Sequence, residues 1–490
     1  MLQQECFELP DHGSILRVET FPARGYSALC THASVTERIT SGPRNLPDML
    51  GCLDNVFPRR ALFQRDRRLL HLFLGRVLGS TGFSIVIPFL SLYLHGERGV
   101  PMSLVGGIFF FAALAGAVGQ VVGGELTDRL GRKAVIVGSQ LVRSAAFVGF
   151  GVAVLVHAPI FWFSLITALS ALAGRAFEPP SGAMVADIAT GPARAEYYAI
   201  LRIGGNLGWA IGPAIGGFLA ALSYPTLFLI AAGVLLAAGL FMAFKVEETL
   251  PHRVARSLEV QEATTLLPSS TGTAPLARFG FEELGQALRD ATFVRYCVIS
   301  LVLFTVMSQL ISTLSVYAVQ WAGISKLELG ALYTLNGLMV VFLQFPVVRI
   351  LTPYRMTTAL VAGSILYALG YAMMGFAHGM PVLAVSMFVV TMGEIVTTPA
   401  SMNLVANFST VQLRGRYMGV YGLFNSFGWS IGPLIGGVML DLASGRSMLL
   451  WTPIGCLALV AAVGYWDLRR RITRTMDLNY EYTTAETATA

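Results

Sequence analysis

Twelve apolar runs of roughly 20 residues recur along this chain of 490 residues, and a run of that length is what a helix needs to cross about 30 Å of hydrocarbon. Inside a bilayer no water satisfies backbone N–H and C=O groups, so each run must close its own hydrogen bonds as a helix. The runs fall near residues 69–94, 101–122, 134–156, 160–186, 195–221 and 224–244, then 293–320, 327–349, 356–377, 381–406, 413–441 and 447–467. Charged residues are 13% of the chain, against about 25% in a typical soluble domain. The sequence predicts an all-α membrane protein with twelve transmembrane helices.

The remaining segments set the domain plan. Residues 1–66 mix Pro, Gly, Ser, Arg and Asp without an apolar run long enough for a signal peptide, and read as a disordered cytoplasmic extension. Met49 opens a lead-in of ordinary length, so residues 1–48 are expected to be dispensable. A six-helix bundle is expected over 67–244, a cytoplasmic linker over 245–292 with a short helix from Phe281 to Arg289, a second bundle over 293–467, and an unstructured cytoplasmic tail over 468–490.

Lys and Arg set the orientation. With the N-terminus inside, the inner connections hold Arg129, Arg132, Lys133, Arg194, Lys245, Arg253, Arg256, Arg278, Arg289, Arg295, Arg349, Arg355, Arg414, Arg416 and Arg469 to Arg471, whereas the outer ones hold Arg98, Lys326 and Arg446. Cytoplasmic loops carry the excess of basic residues, so both termini are expected in the cytoplasm of a cell (plasma or inner) membrane. The net charge of +6 is then topological, and a nucleic-acid partner is not needed to explain it.

The chain repeats itself. Gly208-Trp-Ala-Ile-Gly-Pro-Ala-Ile-Gly-Gly217 returns as Gly428-Trp-Ser-Ile-Gly-Pro-Leu-Ile-Gly-Gly437, identical at eight of ten positions at an offset of 220 residues. Upstream, Pro179, Ser181, Arg194 and Tyr197 match Pro399, Ser401, Arg414 and Tyr417 at the same offset. Two parallel six-helix halves follow, an arrangement of transporters that hold substrate between the halves near the midplane.

The connection after the second run, Gly124-Glu-Leu-Thr-Asp128-Arg129-Leu-Gly131-Arg132-Lys133, resembles the signature of the major facilitator superfamily, departing from it at Thr127. The Gly208–Gly217 segment is similar to the antiporter motif in the fifth helix of that superfamily's drug:proton antiporters. The resemblance covers about 60 to 475. It implies a major facilitator fold, a gating role for Gly124, Asp128, Arg129, Gly131, Arg132 and Lys133, and export by antiport. Asp187, near the inner end of the fourth run, is a natural partner for Arg132, and Asp128 is expected to lie where a helix N-terminus stabilises its charge. The matching connection of the second half, Pro346 to Arg355, keeps Arg349 and Arg355 but lacks the Asp and the glycines.

In the fifth run Gly204, Gly208, Gly212 and Gly216 recur every four residues, a smooth face for close helix packing. Pro213 removes a backbone hydrogen bond and favours a bend; with Gly217 these residues complete the motif. Charges inside the runs are sharper signals, since each costs roughly 2.5–3.5 kcal/mol at a helix centre unless partnered or in a watery cavity. Arg76 can snorkel. Arg143 and Arg202 lie too deep for that. Arg175 and Glu178 are one helical turn apart and are expected to pair. Glu394 has no sequence-local cation, and Pro179-Pro180 and Pro399 suggest matched helix breaks beside these charges. Phe83, Tyr93, Phe177, Phe304, Tyr317 and Tyr333 are candidate cavity aromatics, although packing explains any single one.

Drug:proton antiporters of the superfamily often carry an acid in the first helix, and residues 69–94 contain no Asp or Glu. If the chain is proton-coupled, its carrier lies elsewhere, and Glu394 is the leading choice, with Glu178 second. The three deep arginines leave room for anionic substrates. Cys6, Cys30, Cys52, Cys297 and Cys456 are scattered, no Cys/His cluster has metal-ligand spacing, and no phosphate-binding G-x-x-x-x-G-K-[ST] loop is present. No metal and no cofactor is expected. The reading is a secondary transporter, a functional monomer in the lipid bilayer exchanging protons for a small amphipathic compound such as a drug. The alternatives are a facilitator or symporter for a sugar or organic anion, and a non-transporting membrane receptor. An enzyme is the least favoured, because no nucleophile–base constellation appears.

Overall fold

The computed structural model describes residues 67–189, 193–249, 287–409 and 413–478. Within them lie twelve helices long and apolar enough to span a membrane. The first half comprises α1 (Arg67–Glu97), α2 (Met102–Leu130), α3 (Arg132–Leu155), α4 (Ile160–Ile188), α5 (Ala193–Leu222) and α6 (Tyr224–Lys245). The second comprises α7 (Ala291–Gln320), α8 (Lys326–Leu351), α9 (Met356–Met374), α10 (Met380–Phe408), α11 (Arg414–Ala443) and α12 (Ser447–Arg471). Of the short helix expected over Phe281–Arg289, residues 287–289 are helical and the rest lies outside the described residues, as does the 1–66 extension.

Several helix starts are legible chemistry. Ser325 and Glu328 form a reciprocal capping box at α8. Asp290 accepts from the amides of Thr292 and Phe293 at 3.0 Å to start α7. Side chains of both kinds satisfy N-terminal amides that have no intrahelical partner.

Packing repeats from one half to the other. The neighbours α1–α5, α1–α6, α2–α4, α3–α4 and α3–α6 return as α7–α11, α7–α12, α8–α10, α9–α10 and α9–α12. The halves join mainly along α2–α11 and α5–α8, which are one pairing seen twice under the same repeat. Glycine permits both kinds of approach. A Cβ on Gly216 would lie 2.7 Å from the Phe89 ring of α1, while one on Gly217 would lie 2.6 Å from the Lys326 carbonyl of α8. Likewise a Cβ on Gly436 would crowd Gln309 of α7, and one on Gly437 would come within 2.7 Å of the Met102 carbonyl carbon of α2. The first glycine of each pair thus seats its helix within its half, and the second seats it against the other.

Polar contacts between the halves gather at the end away from the basic connections. The Asp441 carboxylate of α11 accepts from the amides of Met102 at 2.9 Å and Ser103 at 2.7 Å, capping α2 across the interface. Lys326 Nζ lies 3.2 Å from Glu97 and 4.3 Å from the Tyr224 ring centroid. At the basic end, acids tie elements of the same half together. There Glu248, just beyond α6, accepts from the amides of Arg132 at 3.1 Å and Lys133 at 2.9 Å, capping α3. In the second half Asp477 accepts from Thr357 N at 2.8 Å and pairs with Arg355 at 2.6 Å, at the start of α9. The tail over 468–490, expected to lack structure, is therefore folded as far as residue 478: α12 runs to Arg471, and Asp477 is fully buried because it neutralises Arg355.

A carboxylate on a helix N-terminus contributes about 0.3–2 kcal/mol. Asp441→Asn should accordingly loosen the joined end severalfold. The rate at which a membrane-impermeant thiol reagent, applied from that side, labels a cysteine placed at Ile311 in the cavity wall should rise; an unchanged rate would show that Asp441 does not hold this end.

Candidate transport cavity

Between the halves lies a cavity of about 530 Å³, walled by α1 to α5 on one side and by Ile311, Asn425, Ser426, Trp429, Ser430 and Pro433 on the other. A second, of about 430 Å³, shares Arg76, Ser80, Glu178 and Trp209 with it and adds Tyr198, Arg202 and Asn206. Arg143 sits eleven residues into α3, about 16 Å along the helix at 1.5 Å per residue, which sets the first cavity near the middle of the bundle.

The charges of that cavity all come from the first half. Arg76 pairs with Glu178 at 2.7 Å and stands 5.4 Å from the Phe177 ring centroid. The expected Arg175–Glu178 pair is not formed. Helical hydrogen bonding lapses at Phe177, whose backbone stays helical at φ −70° and ψ −30°, with Pro179 and Pro180 in the turn that follows, and Glu178 gives its carboxylate to Arg76 instead. Proline has no N–H to continue the helical bonds, which is why the break falls there. Arg175 lays its stem against Gly116 of α2 and lines the cavity. Arg143 is 7% exposed, rests 4.4 Å from the Phe83 ring centroid and has no acceptor at Nε.

The matched break expected in the second half is absent: α10 runs unbroken through Pro399, and it is α7 that breaks, at a 3₁₀ turn over Ser308–Leu310. Glu394, on α10, borders neither cavity. It accepts from Asn336 Nδ2 at 3.1 Å, and the same amide donates to Thr391 at 2.9 Å. Among the described residues no cation is in ion-pair contact with Glu394; Arg202, on α5 of the other half, is the cation whose field reaches it.

In the basic connection, Gly131 adopts φ +94° between α2 and α3, and a Cβ there would lie 2.5 Å from the Glu248 carboxylate. Glycine is needed on both counts. Arg132 Nε lies 3.3 Å from Asp187, although its N–H is not aimed at the carboxylate, and Arg132 Nη1 lies 3.7 Å from Asp128. Thr249 Oγ1 donates to Asp187 at 2.9 Å. Arg129 pairs with Glu125 at 2.6 Å, one turn back; Gly124 has open space beside it, and the Lys133 amide serves the cap. Asp128 does not sit at a helix N-terminus, as the sequence led us to expect. It occupies the last turn of α2 with its side chain 80% exposed, because Glu248 already holds the amides of α3.

The antiporter-like segment forms a tight seam. Gly208 and Gly212 leave room for Ser80 and Ser84 of α1, and Ser84 Oγ donates to the Gly208 carbonyl at 2.9 Å. Pro213 lies inside α5, its carbonyl against Gly330 of α8. Of the candidate aromatics, Phe83 and Phe177 line the cavity. Tyr93 stacks among Phe163, Tyr224 and Phe228, Phe304 meets Tyr421, Tyr317 meets Trp451, and Tyr333 hydrogen-bonds Ser315 and the Leu310 carbonyl. Sequence reasoning passed over Trp209 and Trp429, which both face the cavity; their repeat-matched positions were the available signal. Glu248 and Asp441 were also missed, and an isolated acid capping a distant helix leaves no local pattern.

Comparison with known proteins agrees with this architecture. The family described as Major Facilitator Superfamily matches residues 72–430 and 320–477. The chain is 24% identical over 82% of its length to an uncharacterized MFS-type transporter, YqjV, of Bacillus subtilis, covering 94% of that protein. It is 28% identical over 82% of its length to the multidrug resistance protein MdtH of Yersinia enterocolitica, covering 94% of it. Among solved structures, a POT family transporter in complex with 5-aminolevulinic acid aligns with a TM-score of 0.67 at 13% identity, covering 84% of this chain and 98% of that one. The human organic anion transporter MFSD10 aligns with a TM-score of 0.58 at 20% identity, covering 81% and 99%.

Glu248 and Asp128 should separate by mutation. Glu248→Gln removes the charge that caps α3 and should cost about 1–2 kcal/mol, lowering the thermal unfolding midpoint of the purified chain. Asp128→Asn, at an exposed site, should shift that midpoint little. Equal shifts would contradict the assignment of the cap to Glu248.

Proposed function

The chain belongs to the major facilitator superfamily, and on that premise we propose that it couples entry of protons to export of a small amphipathic compound. It is a multi-pass membrane transporter, not an enzyme. The observation that carries the reading is the central cavity, walled by both halves, between bundles whose polar contacts concentrate at one end. The multidrug resistance relatives support a drug-like substrate. With the basic connections cytoplasmic, as the positive-inside rule requires, the joined end faces outward and both termini lie on the cytoplasmic side of a cell membrane. The chain then acts as a monomer, since the cavity needs no residue from a second copy.

Gating falls to the connection around Asp128, Arg132 and Asp187. Asp128 is exposed at the basic end, available to meet the other half when that end closes. Asp128→Asn should therefore slow turnover severalfold while leaving substrate binding intact, read as uptake velocity against equilibrium binding. Weaker binding at undiminished velocity would contradict the gating role.

Coupling falls to Glu394 first and Glu178 second. Glu178 is held by Arg76 at 2.7 Å, a partner within its own half. Glu394 is held by the amide of Asn336, and its cation, Arg202, belongs to the other half. Motion along the α5–α8 seam changes that separation, and a carboxyl whose cation moves changes its proton affinity. One proton entering through about 100 mV supplies roughly 2.3 kcal/mol, and a unit pH gradient about 1.4 more, enough for a concentration ratio of several hundred. In inside-out vesicles Glu394→Gln should abolish pH-driven accumulation while preserving exchange at equal pH. Full pH-driven transport in Glu394→Gln together with its loss in Glu178→Gln would reverse the assignment; retention in both would remove proton coupling through these acids.

A further inference from the structure

We infer that the central cavity selects organic monoanions, through the guanidinium of Arg143, with that of Arg175 elsewhere on the same aromatic-walled lining. The inference rests on the transport reading above and names the substrate class of the same site.

The charge balance of the lining is one-sided. Arg76, Arg143, Arg175 and Glu178 are its charged residues. Arg76 and Glu178 cancel at 2.7 Å. Among the described residues no carboxylate is in ion-pair contact with Arg143 or Arg175, so the cavity presents two uncompensated positive charges. Arg143 is the more telling of the two. Burying a guanidinium without a counter-ion is costly, and the Phe83 ring 4.4 Å away offsets part of that by cation–π attraction. The remainder needs an acceptor. Nε has none, and the side chain is more than nine-tenths buried while bordering the cavity. Its guanidinium lies against Gly174 of α4, where a Cβ would come 3.1 Å from it, while the stem of Arg175, the next residue, lies against Gly116 of α2.

A carboxylate or sulfonate completes this arrangement. The planar fork of a guanidinium matches two anionic oxygens, and a bound anion neutralises what the protein leaves charged. The rest of the wall sets the body of the ligand: Phe83, Phe147, Phe150, Phe177, Trp209 and Trp429 offer flat apolar surfaces, and about 530 Å³ is the size of a typical small-molecule site. The ligand is thus an aromatic or aliphatic body with a single anionic head. A cationic amphiphile finds in this cavity only Glu178, already held by Arg76.

The test is direct binding to the purified full-length chain by calorimetry, using three probes of matched body: 1-naphthylacetate, 1-naphthylacetamide and 1-naphthylethylamine. The acetate should bind roughly tenfold more tightly than the amide, as charge-assisted hydrogen bonds outweigh neutral ones, and the amine should bind most weakly. Arg143→Gln and Arg175→Gln should each shrink the acetate's advantage over the amide toward parity. Arg143→Lys, which keeps the charge but loses the fork, covers the case in which Arg143→Gln does not fold, and should fall between. Tightest binding by the amine, an acetate preference untouched by these substitutions, or no binding of any probe at millimolar concentration would overturn the inference. The outcome is separable from proton-coupled export: absent pH-driven flux with an intact anion preference sinks the export reading alone, and pH-driven flux of other compounds without that preference sinks this one alone.

Discussion

Adjacent glycines on α5 and α11 organise the rest of the molecule. Consecutive helical residues point about 100° apart, so Gly216 and Gly217 present two bare faces to two different helices, α1 and α8, and Gly436 and Gly437 do the same toward α7 and α2. Lipid tails supply no hydrophobic drive between helices, and association depends on close packing and hydrogen bonds. Close backbone approach at these points lets Ser84 reach the Gly208 carbonyl and Gln309 reach the Gly432 carbonyl, fastening each half. The other face of the same helix then forms the seam between halves, and the cavity is the space left between the two seams.

Carboxylates on helix N-termini supply the polar complement. Glu248 and Asp477 lie just beyond the last helix of their respective halves, and each reaches back to the start of that half's third helix, α3 or α9. Each bundle is thus tied end to end by one acid, although the two acids are not matched by the 220-residue offset of the repeat. Asp441 uses the same chemistry between halves instead of within one. It is a natural element to exchange in a conformational cycle, because its amide partners at Met102 and Ser103 belong to the other bundle.

Much of this was legible from the amino-acid sequence, and the boundary of what was legible is physical. Run length fixes spanning helices, and the Gly208–Gly217 repeat displays both the halves and the packing face. Side-chain pairing is different. The Arg175–Glu178 spacing promised a one-turn pair, but Glu178 meets Arg76, 102 residues away, and the Arg175 stem lies against Gly116 of the second helix, tertiary choices that spacing alone does not encode. Pro399 sits at the repeat position of Pro179, yet α10 absorbs it within a continuous helix. Glu248 and Asp441 bond to backbone amides 116 and 339 residues distant, contacts that exist only once the bundles have assembled. Trp209 and Trp429 were visible as a matched pair, but which way they face is set by how the adjoining glycines seat the helix on its neighbour, as Gly208 does against α1.

The account holds that the halves pivot on the two glycine seams, so that opening one end closes the other. Distances between spin labels at Leu130 and Tyr354 report the basic end, and those between labels at Val156 and Leu442 report the joined end; all four residues are exposed. Double electron–electron resonance on both pairs, with the purified chain in lipid nanodiscs across a range of pH and with a transported compound added, measures the two ends separately. The account predicts that conditions shortening the Leu130–Tyr354 distance lengthen the Val156–Leu442 distance in the same population. Changes of the same sign at both ends, or a change at one end with the other fixed, would contradict it.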